Sequence, residues 1–224
     1  MGWGPVGAAT VLRPWAERLV DALGPRPGER ILDASADGGL LHRRLARAVG
    51  PHGAVVAAGP AGHPAAAGTP FAAAASLFSI PLVSDAGAHL AGLLRAVDPR
   101  AGRVAVLIQL GGRGSPHETA VAGVLGGVAR PATLSAVEID ALCGDGPLRP
   151  ERLRDVVRFD GLGQLWTALV TERGIGADLD ARRHGALEAS LGRWIAADGT
   201  LRIAAEAVCL RHRAWPAGRV TSGV

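Results

Sequence analysis

The 224-residue chain contains no lysine and no tyrosine, and its only cysteines are Cys143 and Cys209. The formal charge of +4 is therefore set by arginine, and those arginines are scattered among Asp and Glu without forming a block or a continuous basic helix face. That distribution reads as compositional bias, not as a phosphate-binding surface. Aromatic residues make up 4% of the chain, which leaves few platforms for stacking bases, so no nucleic-acid partner is expected. The two distant cysteines make neither a C-x-x-C pair nor a Cys/His ligand set, and they predict reduced intracellular thiols in place of a disulfide framework. His52, His63, His89 and His117 fall in separate segments with no H-x-x-H or carboxylate-paired spacing, so no metal site is predicted. No uninterrupted apolar run reaches the length of a membrane span, and Met1-Gly2-Trp3-Gly4-Pro5 is not a charged segment followed by an apolar core. No membrane partner and a cytoplasmic location are the resulting expectations.

What the chain does hold is apolar material in abundance: 48% of residues are hydrophobic, ample for a buried core. Residues 11–23 place Leu12, Trp15, Ala16, Leu19, Val20 and Leu23 at helical spacing, closed by Gly24-Pro25 and Pro27-Gly28. Arg30 to Leu32 then forms a short strand ending in the acid Asp33, followed by a small-residue turn and a helix over 40–49 with an apolar stripe at Leu40, Leu41, Leu45 and Val49. The run 54–58 is a second parallel strand, which makes the segment a right-handed strand, helix, strand crossover. Residues 59–70 are a loop, because Pro60, Pro64 and Pro70 with Gly59, Gly62 and Gly68 leave no room for a helix of ordinary length. Strands are expected at 73–80 and 103–110, with a helix at 85–97 between them. Beyond these, a helix is expected at 118–128, a short helix or strand at 135–142, a charged edge strand at 152–159, helices at 162–172 and 179–196, and a final strand at 201–213. Residues 1–213 are expected to form a single domain, with 214–224 as a tail.

The order of these elements resembles the class I S-adenosylmethionine-dependent methyltransferases, especially the branch of ubiquinone and menaquinone biosynthesis. The likeness is carried by Trp15 through Asp33, which is similar to the family's first helix and first strand. It is carried also by Leu93-Leu94-Arg95-Ala96-Val97-Asp98-Pro99-Arg100-Ala101-Gly102-Arg103-Val104, which stands where the family writes a helix, "RVLRPGG" and a strand. Ala196-Ala197-Asp198-Gly199 before the last strand extends it to the C-terminal part. The resemblance implies an α/β, Rossmann-like class I methyltransferase fold: a mostly parallel sheet with antiparallel C-terminal strands, trimmed at the edge where the family has its third strand.

The same resemblance implies a cofactor loop of the form D-x-G-x-G-x-G after the first strand. Here Asp33 stands first, Ser35, Asp37 and Gly39 occupy the glycine places, and Gly38 lies between the last two. The family's glycines let the backbone approach the cofactor's methionyl part. A carboxylate on Asp37 would lie close to the cofactor's own, a repulsion of roughly 1 to 4 kcal/mol depending on dielectric. Asp33 can still meet the cofactor's ammonium. At the end of the second strand the family places an acid for the ribose hydroxyls, and this chain has Gly59. Residues 60–70 are too few for the family's next helix and strand. The loop reads in two ways: as a weakened cofactor site, or as an inherited strand-to-helix turn whose glycines serve geometry. S-adenosylmethionine is the implied cofactor if the chain is active, and no cofactor if it is not. The implied activity is methylation of a small molecule with weak or lost donor binding; the alternative is an inactive relative serving as an interaction or small-molecule-binding module. The corresponding partners are a small-molecule acceptor or a partner protein subunit.

No catalytic residue carries over from the family. His42, just behind the loop, is read as a solvated or capping residue on the first turn of a helix, with a general base in an altered pocket as the alternative. Ser115-Pro116-His117-Glu118 lacks the G-x-S-x-G frame of a nucleophile elbow and is expected to cap a helix. Asp145, Glu151, Asp155 and Asp160 among Arg149, Arg152, Arg154 and Arg158 read as a solvated ion-paired edge and not as paired catalytic carboxylates.

Overall fold

The computed structural model describes residues 7–35, 39–58, 69–80, 83, 85–109, 116–124, 134–167 and 179–212. Among these, the parallel half of the molecule runs α1 (Gly7–Leu23), β1 (Arg30–Asp33), α2 (Leu40–Val49), β2 (Ala54–Ala57), β3 (Ala73–Leu77), α3 (Ala86–Ala96) and β4 (Arg103–Gln109). Then come α4 (Pro116–Val124), α5 (Ala136–Cys143), β5 (Leu148–Phe159), α6 (Leu162–Trp166), α7 (Ala181–Leu191) and β6 (Leu201–His212). The strands form one six-stranded sheet in the order β2-β1-β3-β4-β6-β5. β1 pairs in parallel with β2 and β3, and β3 in parallel with β4. β6 runs antiparallel to β4 and β5, so the mostly parallel sheet with antiparallel C-terminal strands is the observed architecture.

Burial explains the composition of the strands. In β1, Ile31 and Leu32 are buried, and in β3 all five residues are, because helices cover both faces of a parallel sheet. Ala73, Ala74 and Ala75 offer only methyl groups, which lets the covering helices approach the central strand closely. On one face Leu12, Trp15, Ala16, Leu19 and Leu23 of α1 pack with Leu41, Leu45 and Val49 of α2. On the other, Leu90 and Leu93 of α3 join Ile139 and Cys143 of α5. Phe159, Leu165, Trp166, Leu187 and Leu191 make a third cluster beside the antiparallel strands.

β2 is the terminal strand among the described residues; it pairs with β1, and its Ala54 and Ala57 are exposed. The sheet edge falls where the resemblance implied a trimmed fold, while residues 59–68 lie outside the described residues. At the amino ends of the strands Arg103 acts as a staple: it is 6% exposed, donates Nη1 to Gly24 O at 3.1 Å and forms an ion pair with Glu29. Glu29 in turn accepts from Arg26 N at 2.7 Å.

Several boundaries differ from the sequence expectation for identifiable reasons. β3 ends at Leu77, three residues early, because Phe78 takes a left-handed φ of 49°. β5 begins at Leu148, four residues early, with Pro150 inside it; as the outer strand it pairs with β6 along one side, where a missing N–H is tolerated. The segment 135–142 resolves as a helix. Ser135 caps α5 in a reciprocal capping box with Glu138, whose carboxyl is lowered by the bonds it receives from Ser135. α7 starts at Ala181 behind the cap Asp180, which accepts Arg183 N at 2.8 Å, and gives way to a 3-10 turn at Gly192–Trp194. α4 begins at Pro116, a position suited to proline, and Ser115 lies outside the described residues.

Candidate functional site

The topology itself creates a crevice. The chain leaves β1 for β2 on one side and returns to β3 on the other, so the carboxyl ends of β1 and β3 flank a switch point of the kind where open α/β sheets bind ligands. Asp33 closes β1 at this point and is 3% exposed. Its Oδ1 accepts Ser35 N at 3.0 Å, which turns the chain sharply out of the strand. Gly39, at φ 84°, then opens α2; a side chain there would be strained, and a Cβ would lie 3.4 Å from Arg43 Nη1.

Ser35 stands in a glycine place of the family loop, and the structure gives its hydroxyl a partner: Oγ accepts Leu77 N at 2.9 Å. Two further bonds tie the same two strand ends. Ala34 N donates to Ala75 O at 2.9 Å, and Ser79 Oγ donates to Ala34 O at 2.9 Å and lies 3.3 Å from Leu77 O. Between these bonds sits the strained Phe78, whose ring meets Trp15 of α1 edge-on at 6.0 Å. A bulky residue in the left-handed region costs of order 1–3 kcal/mol and persists only where its surroundings over-determine it, as this lacing does.

Behind the lacing, Ser76 Oγ lies 3.4 Å from Ala34 O and 3.1 Å from Nε2 of His89 on α3. Ser76 Oγ thus lies within hydrogen-bond distance of both groups, and the imidazole tautomer sets which of Ser76 and His89 donates to the other. Ser76 is fully buried and His89 is 3% exposed, so the pair braces α3 against β3 and presents no nucleophile to solvent. Sequence reasoning weighed His89 only as a metal ligand and passed over Ser76 and Ser79; the polar residues punctuating Ser76-Leu77-Phe78-Ser79 at the end of an alanine strand were the available signal.

His42, one turn into α2, comes to the same place from the other side. Its Nδ1 is 3.7 Å from Asp33 Oδ2 and is itself buried without a hydrogen-bond partner, while the side chain as a whole is 36% exposed. Of the positions singled out in the sequence, the structure thus brings together Asp33, Ser35, Gly39 and His42. Asp37, Gly38 and Gly59 lie outside the described residues. Among the described residues no group of His, Cys, Asp and Glu is arranged to hold a metal ion. Cys209 sits buried between β4 and β5, and burial pushes its thiol up to about 12; burial also raises the Cys143 thiol, so neither is a thiolate at neutral pH. Along β5, Asp155 pairs with Arg18 at 2.8 Å, Arg154 with Glu206 at 2.9 Å and Glu151 with Arg211, which engages these groups structurally. No described helix is long and apolar enough to cross a membrane.

The frame fits the methionyl half of S-adenosylmethionine better than the nucleoside half. Asp33 stands at the end of β1, where the resemblance implies an ammonium contact, but β2 ends at Ala57, and no Asp or Glu occurs anywhere in residues 54–84. The ribose hydroxyls would therefore find no carboxylate acceptor in this stretch, which does not fit that part of the cofactor.

No protein-family model matches the sequence, and neither does any curated protein sequence. Solved structures do match. One, from Anabaena variabilis, is assigned as a methyltransferase of an antibiotic biosynthesis pathway; it is 15% identical, with a TM-score of 0.59 over 92% of this chain and 99% of that one. Another, assigned as a methyltransferase of Bacillus halodurans, is 7% identical with a TM-score of 0.54 over 88% and 98% of the two chains. A cyclopropane-fatty-acyl-phospholipid synthase-like protein from Lactobacillus casei is 18% identical with a TM-score of 0.52 over 94% and 95%. At these identities the likeness establishes the fold: the chain has the Rossmann-like architecture of these methyltransferase-type proteins.

Proposed function

We propose that this protein is a methyltransferase-fold relative of enzymes that methylate small molecules, and that it binds S-adenosylmethionine weakly or not at all. The observation that carries this reading is the contrast at the switch point: an acid retained at the end of β1 beside an end of β2 with no carboxylate. Fold alone does not confer activity, and the groups that grip the nucleoside are the ones missing. The structural neighbours support the methyltransferase frame, and the lacing of β1 to β3 by Ser35 supports a loop adapted to its scaffold.

Isothermal titration with S-adenosylmethionine and with S-adenosylhomocysteine tests the proposal. Absence of heat, or affinity weaker than the micromolar range usual for enzyme ligands, is the expected result. Micromolar binding of either compound would overturn it and make the chain an ordinary transferase. If neither binds, the reading that remains is the inactive form, a module for a small molecule or a partner subunit.

A further inference from the structure

The Asp33 and His42 side chains fit together in a way that the donor-loop reading does not use. Asp33 is buried at the end of β1, and His42 turns its Nδ1 edge toward it at 3.7 Å. That nitrogen is buried and has no hydrogen-bond partner, yet the side chain is 36% exposed. The exposure therefore belongs to the other side-chain atoms, and Nε2, at the opposite edge of the ring from Nδ1, is not among the buried unpartnered nitrogens. A buried polar atom left without a bond costs about 1–3 kcal/mol, and one aimed at a carboxylate just beyond bonding distance is the geometry of a pair that tightens when the site is filled. In a neutral imidazole, a proton held on Nδ1 by the carboxylate leaves the lone pair on Nε2.

We propose that Asp33 and His42 form a carboxylate–imidazole dyad whose outer nitrogen, Nε2 of His42, accepts a hydrogen bond from a hydroxyl-bearing small molecule at the carboxyl ends of β1 and β3. Asp33 is the positioning residue: it fixes the tautomer. His42 is the group that meets the ligand. A hydroxyl is the chemistry that fits, because the lone pair faces outward and needs a donor, whereas a carboxylate ligand would face the buried charge of Asp33. The proposed contact is made by His42 and requires no bound methyl donor, although Asp33 is also the residue that the resemblance assigns to the donor's ammonium.

The imidazole nitrogens report the tautomer directly in ¹⁵N-edited spectra recorded above the titration range of free imidazole. The expected result is an Nδ1–H tautomer for His42 in the wild type and the Nε2–H form in Asp33→Asn, whose carboxamide oxygen can still accept Ser35 N and keep the turn folded. An Nε2–H tautomer in the wild type would overturn the dyad. Phenol and its methyl ether, anisole, then probe the ligand. Phenol should shift the His42 ring resonances and anisole should not, and His42→Gln should abolish binding of phenol followed through its own proton signals. An equal response to both compounds, or to neither, would overturn the hydroxyl site. Neither probe resembles S-adenosylmethionine, so failure of the donor titration leaves this result standing, and the reverse holds too.

Discussion

Ser35 offers the sharpest separation between a weakened cofactor loop and a scaffold turn. If its hydroxyl serves the scaffold, Ser35→Ala leaves the Leu77 amide without the bond it now makes at 2.9 Å. An unpaired buried donor costs about 1–3 kcal/mol, and because Ser35 is only partly buried the middle of that range, about 2 kcal/mol, is the working value. For a chain of this length each kcal/mol moves the melting temperature by roughly 2–4 °C, so Ser35→Ala should melt about 4–8 °C lower. Ser35→Gly restores the residue of the family loop and should cost more, by about 0.4–1 kcal/mol, because glycine frees the unfolded chain. It gains nothing in return, since glycine and Phe78 are the only described residues at positive φ and Ser35 is not strained. Differential scanning fluorimetry with and without saturating S-adenosylmethionine reads both effects. An unchanged melting temperature for Ser35→Ala would refute the scaffold role. A Ser35→Gly variant stabilised by the donor, where the wild type is not, would show that the serine side chain alone closes an otherwise intact donor site.

Two further predictions concern the scaffold that positions the crevice. Glu29→Ala removes the carboxylate that pairs with the buried Arg103 guanidinium and should lower unfolding free energy by roughly 3 kcal/mol in urea, while Glu29→Gln, which keeps an oxygen acceptor for Arg26 N and Arg103, should cost less. Equal losses in the two variants would mean that the charge of Glu29 contributes what its hydrogen bonds were credited with. The Cys209 thiol, raised to about 12 by burial, makes stability pH-dependent with a definite sign: its folded pKa lies above the ordinary thiol value of 9.0, so the contribution is complete below about pH 9 and is lost as pH rises toward 12. The slope from this group should approach 1.36 kcal/mol per pH unit across that window and should be absent in Cys209→Ala. A wild-type alkaline slope identical to that of Cys209→Ala would remove the assignment.

The legible part of this molecule is the part decided by short-range pattern. Apolar periodicity in residues 11–23 and 40–49, and the β-branched or small apolar runs at Arg30–Asp33, Ala54–Ala57 and Arg103–Gln109, fix their elements because helix and strand periods place different residues inside. β5 was harder, since Pro150 reads as a breaker until the strand is known to be outermost, and that depends on β6, more than 40 residues further on. The end of β3 was marked locally only by the serines Ser76 and Ser79: phenylalanine is not a turn residue, and around Phe78 the bonds of Ser35 and Ser79 and the ring of Trp15 hold its neighbours and its side chain.

The candidate site divides along the same line. Asp33 and Gly39 were visible because a strand that ends in an acid and a helix that opens on glycine are backbone requirements. The partners that decide what those residues do are distant in sequence, as Leu77 is from Ser35, or are related by the three-dimensional turn between β1 and α2, as His42 is to Asp33. A frame dictated by geometry survives changes of function, so its persistence here argues for the fold and carries no weight for the donor. Weight for function comes from side chains whose state the fold does not require. Ser35 bonded into β3 strengthens the scaffold, whereas Nδ1 of His42, buried 3.7 Å from Asp33 Oδ2 without a hydrogen-bond partner, does not, so His42 is the side chain here whose state the fold leaves open.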